Sequence, residues 1–178
     1  RIAGHANVWA PMALDEARGL LYVPTTTPSG DYWGGWRPGA NLFAESLVCL
    51  DAATGTRKWH FQAVHHGLWD YDFASPPMLV TIQPGGRTID AVSQLSKQGF
   101  TYVFDRVTGE PVWPIEERPV PQTNVPGEMT WPTQPYPTKP APFGRQTFTV
   151  DDVNPWLLTP QAYEEVKARV AKAHVGPG

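Results

Sequence analysis

The sequence lacks the cysteine patterns that mark several classes of protein. Its 178 residues contain one cysteine, Cys49, so no internal disulfide can form. Cys49 lies in the apolar run Ser-Leu-Val-Cys-Leu, which predicts a buried small side chain rather than a reactive thiol. The sequence contains no Cys-x-x-Cys-His, so no c-type haem is attached to this segment. Cysteine use therefore indicates no redox compartment.

Runs of charge and of apolar residues are also missing. The 14 Lys and Arg residues are scattered among 17 Asp and Glu, and the net charge of −3 predicts no nucleic-acid partner. No stretch approaches the 18 apolar residues of a membrane-spanning helix, and no signal-peptide pattern opens the chain. The first residues, from Arg1 onward, already look like mid-domain sequence, so we expect a piece of a longer protein.

Proline, glycine and tryptophan are abundant instead. The 20 Pro, 16 Gly and 8 Trp, with 41% hydrophobic and 17% charged residues, predict a globular, β-rich and loop-rich chain. A long Gly/Pro/aromatic loop at 26–44 separates two predicted strands, and such loops are usually functional. The predicted strands are 11–15, 20–25, 46–51, 57–63, 77–82, 88–95, 99–105 and 111–116.

One motif repeats along the chain. Residues 50–59 and 104–113 share Asp, Thr-Gly and Trp at the same internal spacing, 54 residues apart, and residues 14–19 carry a weaker copy. The Asp can accept hydrogen bonds from backbone N–H groups of the turn, Gly supplies a positive φ, and Trp can bridge neighbouring sheets. Strand–turn–strand repeats of this length are typical of propeller blades. Two unrelated hairpins with a common turn are the alternative.

The repeats predict an all-β fold, a partial β-propeller. Residues 1–117 are predicted to form two to three blades, too few for a closed ring, which would leave sheet edges to be covered. Residues 118–178 are predicted to form a Pro-rich wrapping segment, extended over 118–156, and a short helix from Thr159 and Pro160 to about His174. The stripe of Tyr163, Val166 and Val170 indicates a docking face of that helix.

The densest set of polar and aromatic residues lies at 59–72. His65 and His66 are adjacent, so on a strand they would point to opposite faces and could not bind one ion without a reorienting loop. A structural role is therefore preferred for this pair. Asp70, flanked by aromatic residues, is the better candidate for a general base.

At these residues the sequence resembles the pyrroloquinoline-quinone (PQQ) dehydrogenases, in particular the membrane-bound glucose and quinate/shikimate branch. The resemblance runs nearly from end to end. It is carried by the His-His and Trp-Asp-Tyr-Asp run, both repeats, Asn-Val-Trp-Ala-Pro at 7–11, Asp-Tyr-Trp-Gly-Gly at 31–35, Lys-Gln-Gly at 97–99 and Pro-Thr-Gln-Pro at 132–135.

The resemblance implies three site residues. Trp9 matches the tryptophan that forms the floor under the flat PQQ ring system, and Asp70 matches the aspartate that takes the substrate hydroxyl proton. Lys97 matches the cation that binds a quinone oxygen. The alcohol-oxidising relatives carry Arg there, so Lys97 favours the sugar and cyclitol branch. Taken alone, Lys97 would be a solvated surface lysine.

Two positions depart from the family pattern. Thr26-Thr27-Pro28 stands where the alcohol dehydrogenases have Gly-Asn-Pro with a Ca²⁺-binding Asn, and a Thr hydroxyl is a poorer ligand, so we assign no metal ligand in this chain. Gly67 stands where relatives usually carry Asp, and a contact made by that carboxylate would be lost.

The implied function is oxidation of a CH–OH group of a sugar, polyol or cyclitol, with hydride transfer to PQQ and a quinone as acceptor. The alternatives are a non-catalytic propeller scaffold, which would need none of the three site residues, and a PQQ alcohol dehydrogenase. Ca²⁺ is expected in the complete enzyme, on the periplasmic side of the inner membrane, with the anchor outside this chain. The rest of the propeller or another copy would cover the open edges, and the chain alone would be inactive.

Overall fold

Three antiparallel sheets and one short helix make up the computed structural model, which describes residues 5–173. The first sheet has four strands, in the order of the sequence, the second has three and the third has two. The strands are β1 (Ala13–Asp15), β2 (Leu20–Pro24), β3 (Ser46–Asp51) and β4 (Arg57–Gln62); β5 (Met78–Ile82), β6 (Ile89–Leu95) and β7 (Thr101–Asp105); and β8 (Ile115–Pro119) with β9 (Thr133–Pro137). The helix α1 spans Pro160–Val170.

The repeated motif forms the same turn twice, after β3 and after β7. The carboxylate of Asp51 accepts hydrogen bonds from the backbone N–H groups two and three residues later, at 3.1 and 3.0 Å, and Asp105 does the same at 2.9 and 2.9 Å. Gly55 and Gly109 have φ of 71° and 77°, a region that favours glycine. The predicted role of each motif residue in the turn is confirmed.

The tryptophan of the first motif joins the first sheet to the second. Trp59 is buried and packs between Tyr22 of its own sheet and Phe104 of the next, with ring centroids 5.9 and 5.8 Å away. Its Nε1 donates to the carbonyl of Arg106 at 3.3 Å. A Cβ on Gly109 would lie 2.6 Å from the Trp59 ring, so the turn of one sheet forms the seat for the indole of the other.

An aromatic core lies between the first two sheets and extends under the third. It contains Tyr22, Trp59, Phe73, Phe100, Tyr102 and Phe104, with Leu20, Leu47, Cys49, Ala63, Val64 and Val92 around them. Cys49 is buried as predicted, and burial raises the pKa of its thiol to about 11, so it is protonated at neutral pH.

The strand predictions hold for the first seven strands within one or two residues and fail after β7. Of the predicted strand 111–116 only the last two residues are in a strand: Pro111 makes one isolated bridge to Phe104, the chain bends, and β8 begins at Ile115. The Pro-rich segment over 118–156, which is predicted to be extended, contains the strand β9, and β9 pairs with β8. Proline has no N–H to donate, and these two strands form an isolated ribbon in which Pro135 and Pro137 are tolerated.

The C-terminal helix begins where the sequence predicts. The Thr159 side chain accepts a hydrogen bond from the N–H of Ala162 at 3.2 Å, and Pro160 occupies the first helical position. The helix ends at Val170, earlier than expected, and His174 lies outside the described residues. In the described part of the chain, no helix is long and apolar enough to cross a membrane.

Candidate active site

A polar pocket of about 330 Å³ opens where the loop after β2 meets the segment after β4. The loop is the long one at 26–44, which contains no strand or helix, and its first residues form one wall. The pocket is lined by His5, Asn7, Trp9, Thr26, Thr27, Ser29, Gly30, Asp31, Asp70 and Asp72. Two of the three predicted site residues, Trp9 and Asp70, therefore line the same pocket.

Trp9 reaches this pocket from the segment that precedes β1. That segment is tied to the loop wall by the backbone N–H of Asn7, which donates to the Thr26 hydroxyl at 3.0 Å, and by the Thr26 N–H, which donates to the Asn7 carbonyl at 3.0 Å. The Trp9 side chain is 55% exposed, so an indole face remains available at the pocket surface. Large aromatic faces of this kind bind flat ring systems.

Asp70 and Lys97 are joined by an ion pair. Lys97 Nζ lies 3.1 Å from Asp70 Oδ2 and 2.7 Å from Asp72 Oδ2. Asp70 has a φ of 55°, a left-handed conformation that is uncommon for residues other than glycine, although Asp is enriched in it. Lys97 is thus joined to Asp70, which lines the pocket with Trp9, and the pair includes Asp72, two positions after Asp70.

The shared lysine sets the protonation of the neighbouring carboxyl group. Burial alone raises the pKa of Asp72, but the hydrogen bonds from Lys97 and from the Thr27 N–H outweigh burial and hold that pKa below its usual value. Partial burial lowers the pKa of Lys97, and the two carboxylates outweigh it and raise that pKa. Lys97 is therefore charged and Asp72 ionised at neutral pH.

Behind the pocket wall lies a fully buried carboxyl group that the sequence did not single out. Glu45 has an exposed fraction of 0%, and its Oε1 accepts a hydrogen bond from the Thr27 hydroxyl at 2.8 Å. The N–H of Thr27 donates to Asp72 Oδ1 at 2.7 Å. Burial raises the pKa of Glu45 to about 7, against the opposing effects of Thr27 and of the Arg37 charge.

Gly67 has its physical explanation in Glu45. A Cβ on Gly67 would lie 2.0 Å from Glu45 Oε2 and 2.3 Å from Oε1, so the Glu45 carboxyl occupies the space that a side chain at 67 would need. The only sequence signal was the departure at Gly67. Glu45 itself lies 22 residues earlier, and no spacing rule connects the two positions.

The adjacent histidines lie in a turn after β4, not on a strand, and their rings contact different partners. His65 contacts Gln62 Oε1 at 2.9 Å and Glu117 Oε1 at 3.0 Å through its two ring nitrogens. His66 is buried and its Nδ1 contacts the Gly39 carbonyl at 2.7 Å. They do not converge, and the described residues contain no group of three or more His, Cys, Asp or Glu able to hold a metal ion.

The residues at the pocket fit one face of a flat quinone. Trp9 offers a stacking surface, Lys97 offers a cation, and the pocket volume lies in the range of small-ligand sites. Among residues 5–173 no cluster of three or more His, Cys, Asp or Glu side chains that could hold a metal ion is present, whereas Ca²⁺ takes six to eight oxygen ligands. A complete metal site would need further ligands.

Residues 1–178 match the family model described as PQQ, glucose/ethanol/alcohol dehydrogenase, beta-propeller domain. The chain is similar to the glycerol dehydrogenase large subunit of Gluconobacter oxydans (39% identity, 94% of this chain, 23% of the relative). It also resembles quinoprotein glucose dehydrogenase A of Acinetobacter calcoaceticus (41%, 73%, 17%) and the quinate/shikimate dehydrogenase (quinone) of Acinetobacter baylyi (36%, 92%, 20%). The chain thus spans about a fifth of the length of these relatives.

A solved structure has the same fold. The quinohemoprotein alcohol dehydrogenase from Comamonas testosteroni superimposes with a TM-score of 0.58 at 28% identity, over 75% of this chain and 20% of that chain. Together with the open four- and three-stranded sheets, this match confirms the predicted partial β-propeller.

Proposed function

Because this chain belongs to the β-propeller family of PQQ-dependent glucose, ethanol and alcohol dehydrogenases, we propose that it forms part of the active site of an enzyme that oxidises a CH–OH group. The observation that carries the proposal is that Trp9 and Asp70 line one pocket and that Lys97 pairs with Asp70 at 3.1 Å. A scaffold propeller has no need of a half-exposed indole, a carboxylate and a cation held together, so the convergence favours an enzyme.

In this mechanism Asp70 is the catalytic base. Its carboxylate lines the pocket and takes the proton as the substrate O–H bond breaks and the carbonyl forms. The bound quinone supplies the chemistry of hydride acceptance. Trp9 would support the flat cofactor and exclude water from one of its faces.

Lys97 has two roles in the proposal. Its ion pair with Asp70 holds that carboxylate in one orientation until a substrate binds. Its charge would also stabilise negative charge on a quinone oxygen. Asp72 provides a second anchor for Lys97 at 2.7 Å, so Lys97 remains held when Asp70 accepts its proton.

The proposed substrates are sugars, polyols or cyclitols, since Lys97 stands where the alcohol-oxidising relatives carry Arg. This range of substrates is supported by the names of the relatives, which are dehydrogenases of glycerol, glucose, and quinate or shikimate. The name of the quinate/shikimate dehydrogenase also includes a quinone, which supports a quinone as the electron acceptor. We propose Ca²⁺ as the metal of the complete enzyme. We also propose that the enzyme is located on the periplasmic side of the membrane, with an anchor outside this chain. Further propeller blades would cover the open sheet edges of this chain. A PQQ alcohol dehydrogenase is the second candidate.

The test uses the complete protein that contains this chain. Asp70→Asn is expected to lower kcat by about 10²–10⁴-fold, because the amide cannot accept the proton, while PQQ binding measured by absorbance titration stays within error of wild type. The exposed Asp151 provides the matched control, Asp151→Asn, with unchanged kcat. Near-normal turnover of Asp70→Asn would remove Asp70 from the mechanism.

A further inference from the structure

Glu45 has an environment that is costly for a carboxyl group. It is fully buried, its Oε1 has the Thr27 hydroxyl as a donor, and its Oε2 has no hydrogen-bond partner among the described residues. A buried carboxyl group with unmet hydrogen bonds destabilises a fold by roughly 1–3 kcal/mol or more. Packing alone would be served better by an apolar side chain, so the contact with Thr27 needs an explanation.

Thr27 connects Glu45 to the pocket. Its hydroxyl donates to Glu45 at 2.8 Å and its backbone N–H donates to Asp72 Oδ1 at 2.7 Å, so one residue is held from both sides. The other oxygen of Asp72 holds Lys97 at 2.7 Å, and Lys97 holds Asp70 at 3.1 Å. An unbroken series of hydrogen bonds therefore runs from the interior to the proposed base.

We propose that Glu45 is a positioning residue for the active site, which acts through Thr27 and Asp72 to fix where Lys97 holds Asp70. This inference rests on the proposed function. Without an oxygen at this place, the Thr27 side chain would lose its acceptor, and the N–H that holds Asp72 would no longer be fixed. Lys97 would then be less constrained, and Asp70 would spend less time in its reactive position.

Gly67 faces the space that the Glu45 carboxyl group fills. A Cβ on Gly67 would lie within 2.0–2.5 Å of three atoms of the Glu45 carboxyl group, so a side chain at 67 and Glu45 exclude each other. The φ of Gly67 lies outside the left-handed region, so the backbone there accepts other residues. Gly67 is also fixed, since its carbonyl accepts a hydrogen bond from Arg37 at 2.7 Å. A carboxyl group carried at 67 would therefore enter the space that Glu45 now fills.

Reciprocal variants of the complete protein test this arrangement. Glu45→Ala is expected to lower kcat by about 10–100-fold at saturating PQQ, because displacement of a catalytic group by about 1 Å can cost that much, with KM changed less than kcat. Gly67→Asp alone is expected to be impaired by the collision with Glu45. The double variant Glu45→Ala/Gly67→Asp is expected to recover most of the lost kcat.

A second readout needs neither turnover nor cofactor. Labelling of Lys97 by an amine-reactive reagent, followed by peptide mass spectrometry on the protein without PQQ, should be several-fold faster in Glu45→Ala and return toward wild type in the double variant. Lys58, on the surface of β4, serves as the internal control and should label at one rate throughout. Tyr22→Phe removes another buried hydrogen bond, to the Arg106 carbonyl, and should leave Lys97 labelling unchanged.

Each outcome decides the proposal. Unchanged Lys97 labelling in Glu45→Ala, or a double variant as impaired as Glu45→Ala, would overturn it. If Glu45→Ala does not fold, Glu45→Gln is measured in its place. This variant keeps an acceptor oxygen, so Lys97 labelling and kcat should stay within a few-fold of wild type. A loss of kcat as large as that expected for Glu45→Ala would overturn the proposal. Normal turnover of Asp70→Asn would contradict the proposed function. If Asp70→Asn is inactive but Lys97 in Glu45→Ala is labelled at the wild-type rate, only the inference on Glu45 is contradicted.

Discussion

At the scale of single residues, the Lys97 ammonium group forms ion pairs with the two carboxylates at the pocket, those of Asp70 and Asp72. Lys97 holds Asp72 at 2.7 Å and Asp70 at 3.1 Å, and Asp72 is the more buried of the two, with its side chain 10% exposed against 31%. The desolvation of Asp72 is compensated by Lys97 and by the Thr27 N–H. Loss of the cation would therefore affect Asp72 first.

We expect the effect of Lys97→Met on the free energy of unfolding to depend on pH. At pH 7 the variant leaves an ionised, mostly buried Asp72 without its cation, and we expect a loss of about 1–3 kcal/mol. In the wild type the pKa of Asp72 is lowered by folding, so its contribution to stability is present above about pH 4 and lost as pH falls. In the variant burial dominates and raises that pKa, so the variant gains stability as pH falls.

The two proteins should therefore approach each other in Tm between pH 6 and pH 3.5, as measured by thermal denaturation without PQQ. Lys58→Met is the matched control, because Lys58 pairs with Asp51 at 3.3 Å on the surface, where such pairs contribute about 0–1 kcal/mol. If the Tm difference between Lys97→Met and the wild type does not change with pH, the ionised Asp72 carboxylate is not the group that destabilises the variant.

Sequence reasoning found the residues of the site that carry a local pattern and missed those that act through the fold. Trp9, Asp70 and Lys97 lie in recognisable runs; Trp9 and Asp70 line one pocket, and Lys97 pairs with Asp70. Thr27 was judged only as a poor metal ligand, and Glu45 was not singled out. Their importance comes from side-chain contacts across 18 and 45 residues of sequence, between Thr27 and Glu45 and between Thr27 and Asp72, which no spacing rule anticipates.

At the scale of elements, the repeated turn explains why the strands were predictable and where prediction ended. The Asp and Gly of each motif close a hairpin by local hydrogen bonds, so the boundaries of β3, β4 and β7 follow from the sequence. After the second motif the chain leaves its sheet, and β8 pairs instead with β9, which carries two prolines. Proline favours loop over strand in a sequence, and only the pairing across 14–22 residues makes this ribbon visible. The division of the chain at residues 117 and 118 stays a prediction.

The two motif glycines give a matched pair of variants that measures the junction between the sheets. Both have a positive φ, and a Cβ on Gly55 would meet nothing within 4 Å, whereas one on Gly109 would lie 2.6 Å from the Trp59 ring. Gly55→Ala is expected to cost about 1–2 kcal/mol for the backbone strain alone. Gly109→Ala adds displacement of Trp59, an overpacking cost of about 1–3 kcal/mol.

Chemical denaturation of both variants tests this, with the difference in unfolding free energy as the result. Trp59→Ala gives the upper limit for the loss of unfolding free energy, since removal of a buried tryptophan side chain costs about 3–5 kcal/mol. In the Trp59→Ala background the two glycine variants should cost the same, because the obstacle at Gly109 is gone. Equal costs already in the wild-type background would contradict the role of Trp59 in joining the sheets.

At the scale of the whole molecule, the chain covers only part of the length of its relatives. It spans about a fifth of their length, and its pocket is lined by the Trp9 indole and the Asp70 carboxylate, with Lys97 paired to Asp70. Flat cofactors bind tightly when both faces and the polar edge are enclosed, as in pockets that bury most of a ligand's surface. An open pocket leaves much of the cofactor in water.

We therefore expect the isolated 178-residue chain to bind PQQ weakly or not at all and to show no turnover. Stacking on Trp9 and one ion pair with Lys97 would have to offset the cost of immobilising the cofactor, about 4 kcal/mol or more for association at the 1 M standard state. Fluorescence titration of the chain with PQQ, read from its tryptophans, measures the affinity, and Trp9→Ala reports whether any binding uses the predicted face. The same titration of the complete protein should saturate at one equivalent. Tight, stoichiometric binding by the chain alone would show that this segment encloses the cofactor by itself, and that the remaining blades serve the substrate and the electron acceptor rather than PQQ.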